Sequence, residues 1–164
     1  TKEAPSPAAA AETSTRLEEA IKVKQVGNES FTRGNLDEAL EKYASALAIL
    51  GEGMRRSGAQ AARQEYAKLR SNRSECLLQQ RKFIEAVGEC TAALEADSEC
   101  GKAWFRRAKA RLELSQRAGA HSIGAAQDAR ADATRLLELD PDSEAGRRLV
   151  REARAECGRA YLLE

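Results

Sequence analysis

The sequence predicts an all-α protein, an α-solenoid in which three antiparallel helix pairs are followed by a C-terminal capping helix. Composition gives the first reason: only 4% of the 164 residues are aromatic, and Ala, Leu, Glu, Arg and Lys, which favour helices, are abundant. Internal repetition gives the second. The segments that begin at Ala67 and Gly101 resemble each other and lie 34 residues apart, a spacing typical of stacked helix–turn–helix units.

The charge of the chain is nearly balanced, with 27 Lys and Arg against 26 Asp and Glu and a net charge of +1. Such a chain has no overall electrostatic attraction for nucleic acid or for an anionic membrane. No apolar run approaches the roughly 20 residues that span a bilayer. We therefore predict neither a nucleic-acid nor a membrane partner.

Cysteine and histidine give no sign of a metal site or a catalytic site. The chain has four cysteines (Cys76, Cys90, Cys100 and Cys157), no CxxC pair and a single histidine, His121, in a turn rich in Gly and Ala. Zinc sites need clustered ligands, so we predict free thiols in a cytoplasmic protein and a solvated loop histidine. We expect no cofactor, no metal and no catalytic residue, and the chain is predicted not to be an enzyme.

Three segments align when Gly27, Ser74 and Ala108 are placed in register. Each has a small residue at position 8, in its first helix, and small or apolar residues at positions 20, 24 and 27, in its second. The latter positions are Ala39, Tyr43 and Ala46; Ala86, Cys90 and Ala93; and Ala129, Ala133 and Leu136. We predict that these residues form the core between helices.

The domain organisation follows from this register. Residues 1–15 are predicted to be a flexible leader, because they contain Pro, Ser and Thr without apolar periodicity. Residues 16–164 are predicted to form a single domain: repeat 1 at about 20–53, an insertion at about 54–66, repeat 2 at 67–100, repeat 3 with a second insertion at 101–143, and a capping helix at 144–161. Since the chain begins with Thr1 and not with Met, we expect it to be a domain of a larger protein. We expect this domain to be monomeric.

Residues 20–164 resemble the three-repeat tetratricopeptide repeat (TPR) domains of co-chaperones in repeat length, in the small residues at positions 8, 20 and 27, and in the closing helix. The resemblance implies helix pairs stacked into a right-handed superhelix, with the first helix of each pair lining a concave groove. Folds of this kind bind many different partners, so the fold alone does not define the function.

Helical geometry divides each first helix into two faces, because successive residues are rotated by about 100°. Positions 4, 7, 8 and 11 share the face expected to pack on neighbouring helices. They are Val23, Val26, Gly27 and Ser30 in repeat 1, and Trp104, Arg107, Ala108 and Arg111 in repeat 3. The two arginine head groups are expected to reach water. Positions 2, 5, 6 and 9 share the opposite face, which must then line the groove; it carries Lys24, Asn28, Asn72, Lys102 and Arg106.

These five residues resemble the dicarboxylate clamp of co-chaperone TPR domains, whose pattern is K-x-x-x-N, then N, then K-x-x-x-R. The resemblance implies that they bind the C-terminal Glu-Glu-Val-Asp tail of heat shock protein 90, of heat shock protein 70, or of both. Lysine, arginine and asparagine suit this role because they donate hydrogen bonds to carboxylates. Phe31 is predicted to contact the apolar side chain before the terminal Asp, and Lys109 an upstream glutamate or backbone carbonyl.

The predicted function is therefore that of a co-chaperone-type adaptor that binds a chaperone tail. Two alternatives stay open at this stage. One is a structural scaffold that binds an assembly partner through its convex face or its insertions. The other is a docking domain of a larger enzyme, such as a phosphatase or a prolyl isomerase. The sequence does not choose between the two chaperones, and it assigns no role to the insertions.

Overall fold

A computed structural model of the chain describes residues 7–57, 59–118 and 123–161. These residues form seven α-helices and no strand. The helices are α1 (Pro7–Thr32), α2 (Leu36–Ser57), α3 (Gln60–Gln79), α4 (Phe83–Ala96), α5 (Gly101–Ala118), α6 (Ile123–Leu139) and α7 (Glu144–Tyr161). Each helix packs on the next along the chain, α3 also contacts α1 and α5, and α7 contacts α5. The predicted fold, three helix pairs followed by a closing helix, is confirmed.

Two tight turns join the helices within the first two pairs. The first turn contains Gly34, whose φ of 83° lies in the left-handed region that glycine adopts without strain. The second contains Arg81, at φ 61°. The third pair ends at Leu139, just before Asp140 and Pro141, because a proline disfavours a helical conformation in the residue that precedes it. Short turns of this kind hold the helices of the first two pairs side by side.

The residues that define the repeat register are buried. Gly27, Ser74 and Ala108 are buried at position 8, and all nine residues predicted at positions 20, 24 and 27 lie in the core. Glycine is required at Gly27, because a Cβ atom there would lie 2.7 Å from Cε1 of Tyr43. The predicted core is therefore confirmed, and Gly27 lets α1 and α2 approach closely.

The structure corrects part of the predicted leader. Helix α1 begins at Pro7, so residues 7–15 are helical, and the prediction of a flexible segment is wrong for them; residues 1–6 lie outside the described residues. Around the first insertion, α2 continues to Ser57, with a non-helical backbone at Gly51, and α3 already begins at Gln60. Extended flanking helices thus contain nearly all of this insertion. Residues 119–122, which include His121, lie outside the described part of the second insertion.

The inward face of the first helices also differs from expectation. Val26 is 41% exposed instead of packed. The head groups of Arg107 and Arg111, expected in water, instead both bind the carboxylate of Asp132 on α6, which is only 2% exposed. Trp104 is partly buried against the core, as predicted, and the Arg107 guanidinium lies over its ring, 4.8 Å from the centroid.

The four cysteines are free thiols, as predicted. Burial raises the pKa of both Cys76 and Cys90 to about 11, so these thiols stay protonated at neutral pH. Among the described residues, no cluster of His, Cys, Asp and Glu is arranged to hold a metal ion. Within the same part of the chain, none of the helices has the length and apolar character needed to cross a membrane.

Candidate functional site

Two adjoining cavities lie where the first helices of the three pairs, α1, α3 and α5, meet. The lysine cavity, of about 200 Å³, is lined by Lys24, Asn28, Lys68, Ser71, Asn72, Cys100 and Lys102. The arginine cavity, of about 130 Å³, is lined by Asn28, Phe31, Thr32, Tyr43, Asn72, Glu75 and Arg106. Because Asn28 and Asn72 line both, the two cavities form one continuous site.

The structure brings all five residues of the predicted clamp to this site. Four of them line the lysine cavity, and Arg106 lines the arginine cavity together with the two shared asparagines. Phe31 also lines the arginine cavity, where an apolar wall was predicted. Lys109 is exposed on α5 and lines neither cavity; its predicted peripheral contact therefore has no geometric support here.

A hydrogen-bond network fixes the two asparagines. The Tyr43 hydroxyl donates to Oδ1 of Asn28 at 2.8 Å, and Nδ2 of Asn72 donates to the same oxygen at 3.2 Å. Burial raises the pKa of Tyr43 to about 12, so its hydroxyl stays a donor at neutral pH. Since Oδ1 of Asn28 accepts both bonds, the Nδ2 donors of Asn28 are left for a ligand.

Lys24 is held by a buried carboxylate. Its ammonium forms an ion pair with Oε1 of Glu65, and Nζ of Lys68 lies 3.5 Å from Oε2 of the same residue. Glu65 is only 4% exposed. A buried carboxylate must be paired to remain charged, and these two lysines provide the pairing. The Lys24 ammonium that lines the lysine cavity is therefore already paired with the Glu65 carboxylate.

Arg106 is fixed by two residues of α3. Its Nε donates to Oε2 of Glu75 at 2.8 Å, and its Nη1 donates to both the carbonyl oxygen and the Oγ of Ser71, at 2.8 and 2.7 Å. Nη2 has no hydrogen-bond partner among the described residues. The guanidinium is thus rigidly oriented while one of its nitrogens can still donate to a ligand.

Lys102 differs from the other two cations of the predicted clamp. It is exposed on α5 and has no ion-pair or side-chain hydrogen-bond partner within the described segments. It lines the lysine cavity next to Cys100, whose pKa is raised mainly by burial, which keeps the thiol uncharged. Lys102 therefore offers the site a cationic charge that no carboxylate in the described segments neutralises.

The site as a whole is suited to a ligand with more than one carboxylate. Lys24, Lys68, Lys102 and Arg106 contribute four positive charges, and Glu65 and Glu75 contribute two negative ones, so the charge of the site is positive. The asparagine amides add donors without adding charge. Charge-assisted hydrogen bonds to carboxylates are stronger than neutral ones, so this site favours an anionic ligand over a neutral one.

Sequence reasoning missed several residues of this site. Lys68 and Glu75 occupy positions 2 and 9 of the second repeat, on the face already assigned to the groove, so helical geometry could have found them. Tyr43 was placed only in the core. Glu65 gave no signal, because it lies before the repeat register begins. Two carboxylates next to the clamp cations are thus a finding of the structure.

A larger cavity of about 500 Å³ adjoins these two and lies between α5 and the segment that joins α6 to α7. Lys102, Arg106 and Glu75 border it, and Phe105, Leu136 and Leu139 give it an apolar lining. The asparagines of the clamp do not line it. The lysine and arginine cavities therefore differ from this one in combining the asparagine donors with the clamp cations.

Comparisons with known proteins agree with this geometry, although no protein-family model matches the sequence. The chain is 30% identical over 147 residues to the Arabidopsis thaliana peptidyl-prolyl cis-trans isomerase FKBP42, a match that covers 83% of this chain and 36% of that protein. The chain spans about a third or less of the length of the first curated relatives that it matches.

Two similar solved structures contain bound peptides. The first TPR domain of Spaghetti (RPAP3), bound to the HSP90 peptide SRMEEVD, is 25% identical, with a TM-score of 0.68; the match covers 86% of this chain and 94% of that one. The second TPR domain of human RPAP3, in complex with the HSP70 peptide SGPTIEEVD, is 27% identical, with a TM-score of 0.67, and covers 85% and 98%. The chain has the tetratricopeptide repeat fold and resembles the TPR domains of co-chaperones, as the sequence predicted.

Proposed function

We propose that this domain is a co-chaperone-type adaptor that binds the free C-terminal end of heat shock protein 90, heat shock protein 70, or both, through the Glu-Glu-Val-Asp tail. One observation carries the proposal: Lys24, Asn28, Asn72, Lys102 and Arg106 come from three helices and line two cavities that share the asparagines. The terminal Asp of such a tail carries two carboxylates, one on its side chain and one at the chain end. The lysine cavity is the place for this residue.

The arginine cavity suits the part of the tail that precedes the terminal Asp. Phe31 gives the arginine cavity an apolar wall, which suits the valine before the terminal Asp. Two similar domains, both from RPAP3 proteins, were solved with peptides that end in this sequence. Their likeness to this chain supports the proposal for both chaperones.

The domain itself acts by binding and not by catalysis in this proposal, and it works in the cytoplasm. The chain resembles only part of a prolyl isomerase, so a second candidate role is that of the docking domain within a larger enzyme. Both roles use the same groove. The two roles differ only in which other domains are joined to this one.

Isothermal titration calorimetry with the peptides SRMEEVD and SGPTIEEVD tests the proposal directly. We expect a dissociation constant of roughly 1 µM, or about −8 kcal/mol, because the contact is short. Binding should weaken as salt is raised, since exposed charges such as Lys102 contribute to the anchor.

Peptides amidated at the C-terminus are the control. Amidation removes the chain-end carboxylate and leaves every side chain in place, so capture of a free chain end requires that affinity fall strongly. Equal binding of the free and amidated peptides would contradict the clamp. A domain that binds neither free peptide would contradict the proposed function.

Tyr43→Phe is expected to weaken peptide binding about three- to tenfold, a loss that corresponds to one hydrogen bond. Without the hydroxyl, Oδ1 of Asn28 retains only the bond from Asn72, and the Asn28 amide is free to rotate away from the ligand. Calorimetry with SRMEEVD measures the loss.

Tyr66→Phe is the matched control for this change. Tyr66 is also buried, and its hydroxyl accepts a bond from Nε of Arg70 at 2.9 Å, away from both cavities. We expect it to alter stability by about 1 kcal/mol while peptide affinity is unchanged. If both variants bound the peptide like the unmodified domain, Tyr43 would have no role in positioning Asn28.

A further inference from the structure

Glu65 is the only residue outside the regular repeats that forms an ion pair with a clamp cation in the described part of the chain. It belongs to the insertion between repeats 1 and 2, in the first turns of α3 that extend before Ala67. Its two carboxylate oxygens bind two different lysines, Lys24 and Lys68, both of which line the lysine cavity. The insertion thus supplies a negative charge to the site.

The position of Glu65 puts it in competition with a ligand. A peptide carboxylate that binds Nζ of Lys24 would lie about 4.5 Å from the Glu65 carboxylate, if both form hydrogen bonds of ordinary length to one ammonium. Like charges at that distance repel each other, and the repulsion grows as water is excluded. Since Glu65 is buried, solvent and salt screen its charge less than that of an exposed residue.

We propose that Glu65 is an affinity-determining residue of the groove: its carboxylate neutralises Lys24 and Lys68 in the free domain and opposes the carboxylate of the bound tail. The inference rests on the proposed function, because it concerns the strength of peptide binding at the same site. It gives the first insertion a role, namely to hold the domain's affinity for acidic tails below what the clamp cations alone would provide.

Glu65→Gln tests the inference, because glutamine keeps the size of the side chain and an oxygen that accepts a bond from Lys24, while the charge is removed. We expect SRMEEVD to bind this variant about three- to tenfold more tightly than the unmodified domain, as loss of one partly screened repulsion would give. Calorimetry measures the affinity, and circular dichroism verifies the helix content.

Glu138→Gln is the matched control. Glu138 pairs with Arg135 on the exposed surface of α6, so this substitution changes the net charge equally without touching the groove. Its affinity for the peptide should stay within about twofold of that of the unmodified domain. A gain of equal size in both variants would show a general charge effect and overturn the inference.

Glu65→Ala provides a second variant in case the glutamine destabilises the fold. It also removes the charge, so tighter binding is again expected, with a smaller gain because Lys24 loses its hydrogen-bond acceptor. Peptide binding by the unmodified domain, combined with equal or weaker binding by the folded Glu65 variants, would overturn this inference and leave the proposed function intact. Failure of the unmodified domain to bind would instead defeat the proposed function.

Discussion

Lys102→Ala is expected to weaken binding of the SRMEEVD peptide by at least about tenfold while the helix content stays unchanged. Lys102 is exposed and lines the lysine cavity, and it lacks an ion-pair partner among the described residues. Removing it therefore costs the folded domain little. A charge-assisted hydrogen bond to a carboxylate contributes about 1.5–3 kcal/mol, so its loss weakens a micromolar complex by roughly 10- to 150-fold.

Lys102 is a better test of the clamp than Arg106, although we expect Arg106→Ala to weaken peptide binding strongly as well. Arg106 also donates to Glu75 and Ser71, so its replacement leaves a carboxylate unpaired inside the groove. A loss of binding by that variant would combine two effects, the missing hydrogen-bond donor and the altered groove. For Lys102→Ala the loss reports the contact with the peptide alone.

Lys22→Ala is the control for Lys102→Ala. Lys22 is an exposed lysine on α1, two residues before Lys24 and therefore on a different side of the helix. It changes the net charge by the same amount, and its peptide affinity should be close to that of the unmodified domain. Retention of full affinity by Lys102→Ala, or an equal loss in both variants, would contradict the proposed clamp.

The fold could be predicted from the sequence because the repeat pattern is independent of detailed contacts. Small residues at position 8, such as Gly27, recur wherever two helices must approach closely, and this register predicts the core. The beginning of α1 could not be predicted in the same way. Residues 7–15 lack the apolar periodicity that indicates an amphipathic helix. They are helical nevertheless, because they extend the packed part of α1 towards the N-terminus.

The site was predictable as a set of positions but not as a network. Helical geometry places Lys24 on the groove face of α1 and Arg106 on the groove face of α5, and this much follows from the sequence. It does not show which carboxylates reach them. Glu65 binds Lys24 across 41 residues of sequence, and Glu75 binds Arg106 across 31. Pairs of that separation depend on the stacking of the repeats, which only the structure provides.

The stacking itself depends on a second buried carboxylate, and Asp132→Ala is expected to lower the free energy of unfolding by about 3–5 kcal/mol. Asp132 accepts bonds from Nε and Nη2 of Arg107 at 3.0 and 2.8 Å, and from Nη1 of Arg111 at 2.7 Å. Arg107 also donates to Thr91 of α4 at 3.1 Å, so the network joins α4, α5 and α6. Without the carboxylate, the largely buried Arg107 guanidinium loses its counter-charge, and Arg111 keeps only its longer contact with the exposed Asp128.

Asp128→Ala provides the matched control, because Asp128 lies on the same helix and pairs with the same Arg111, but at 3.7 Å and with a side chain that is 63% exposed. An exposed pair contributes little, so we expect a change of no more than about 0.5 kcal/mol. Urea unfolding followed by circular dichroism measures both variants. Similar small losses would show that Arg107 and Arg111 find water when Asp132 is removed, as the sequence had suggested. A large loss for Asp132→Ala alone would show that the buried ion pairs stabilise the third repeat, which carries Lys102 and Arg106.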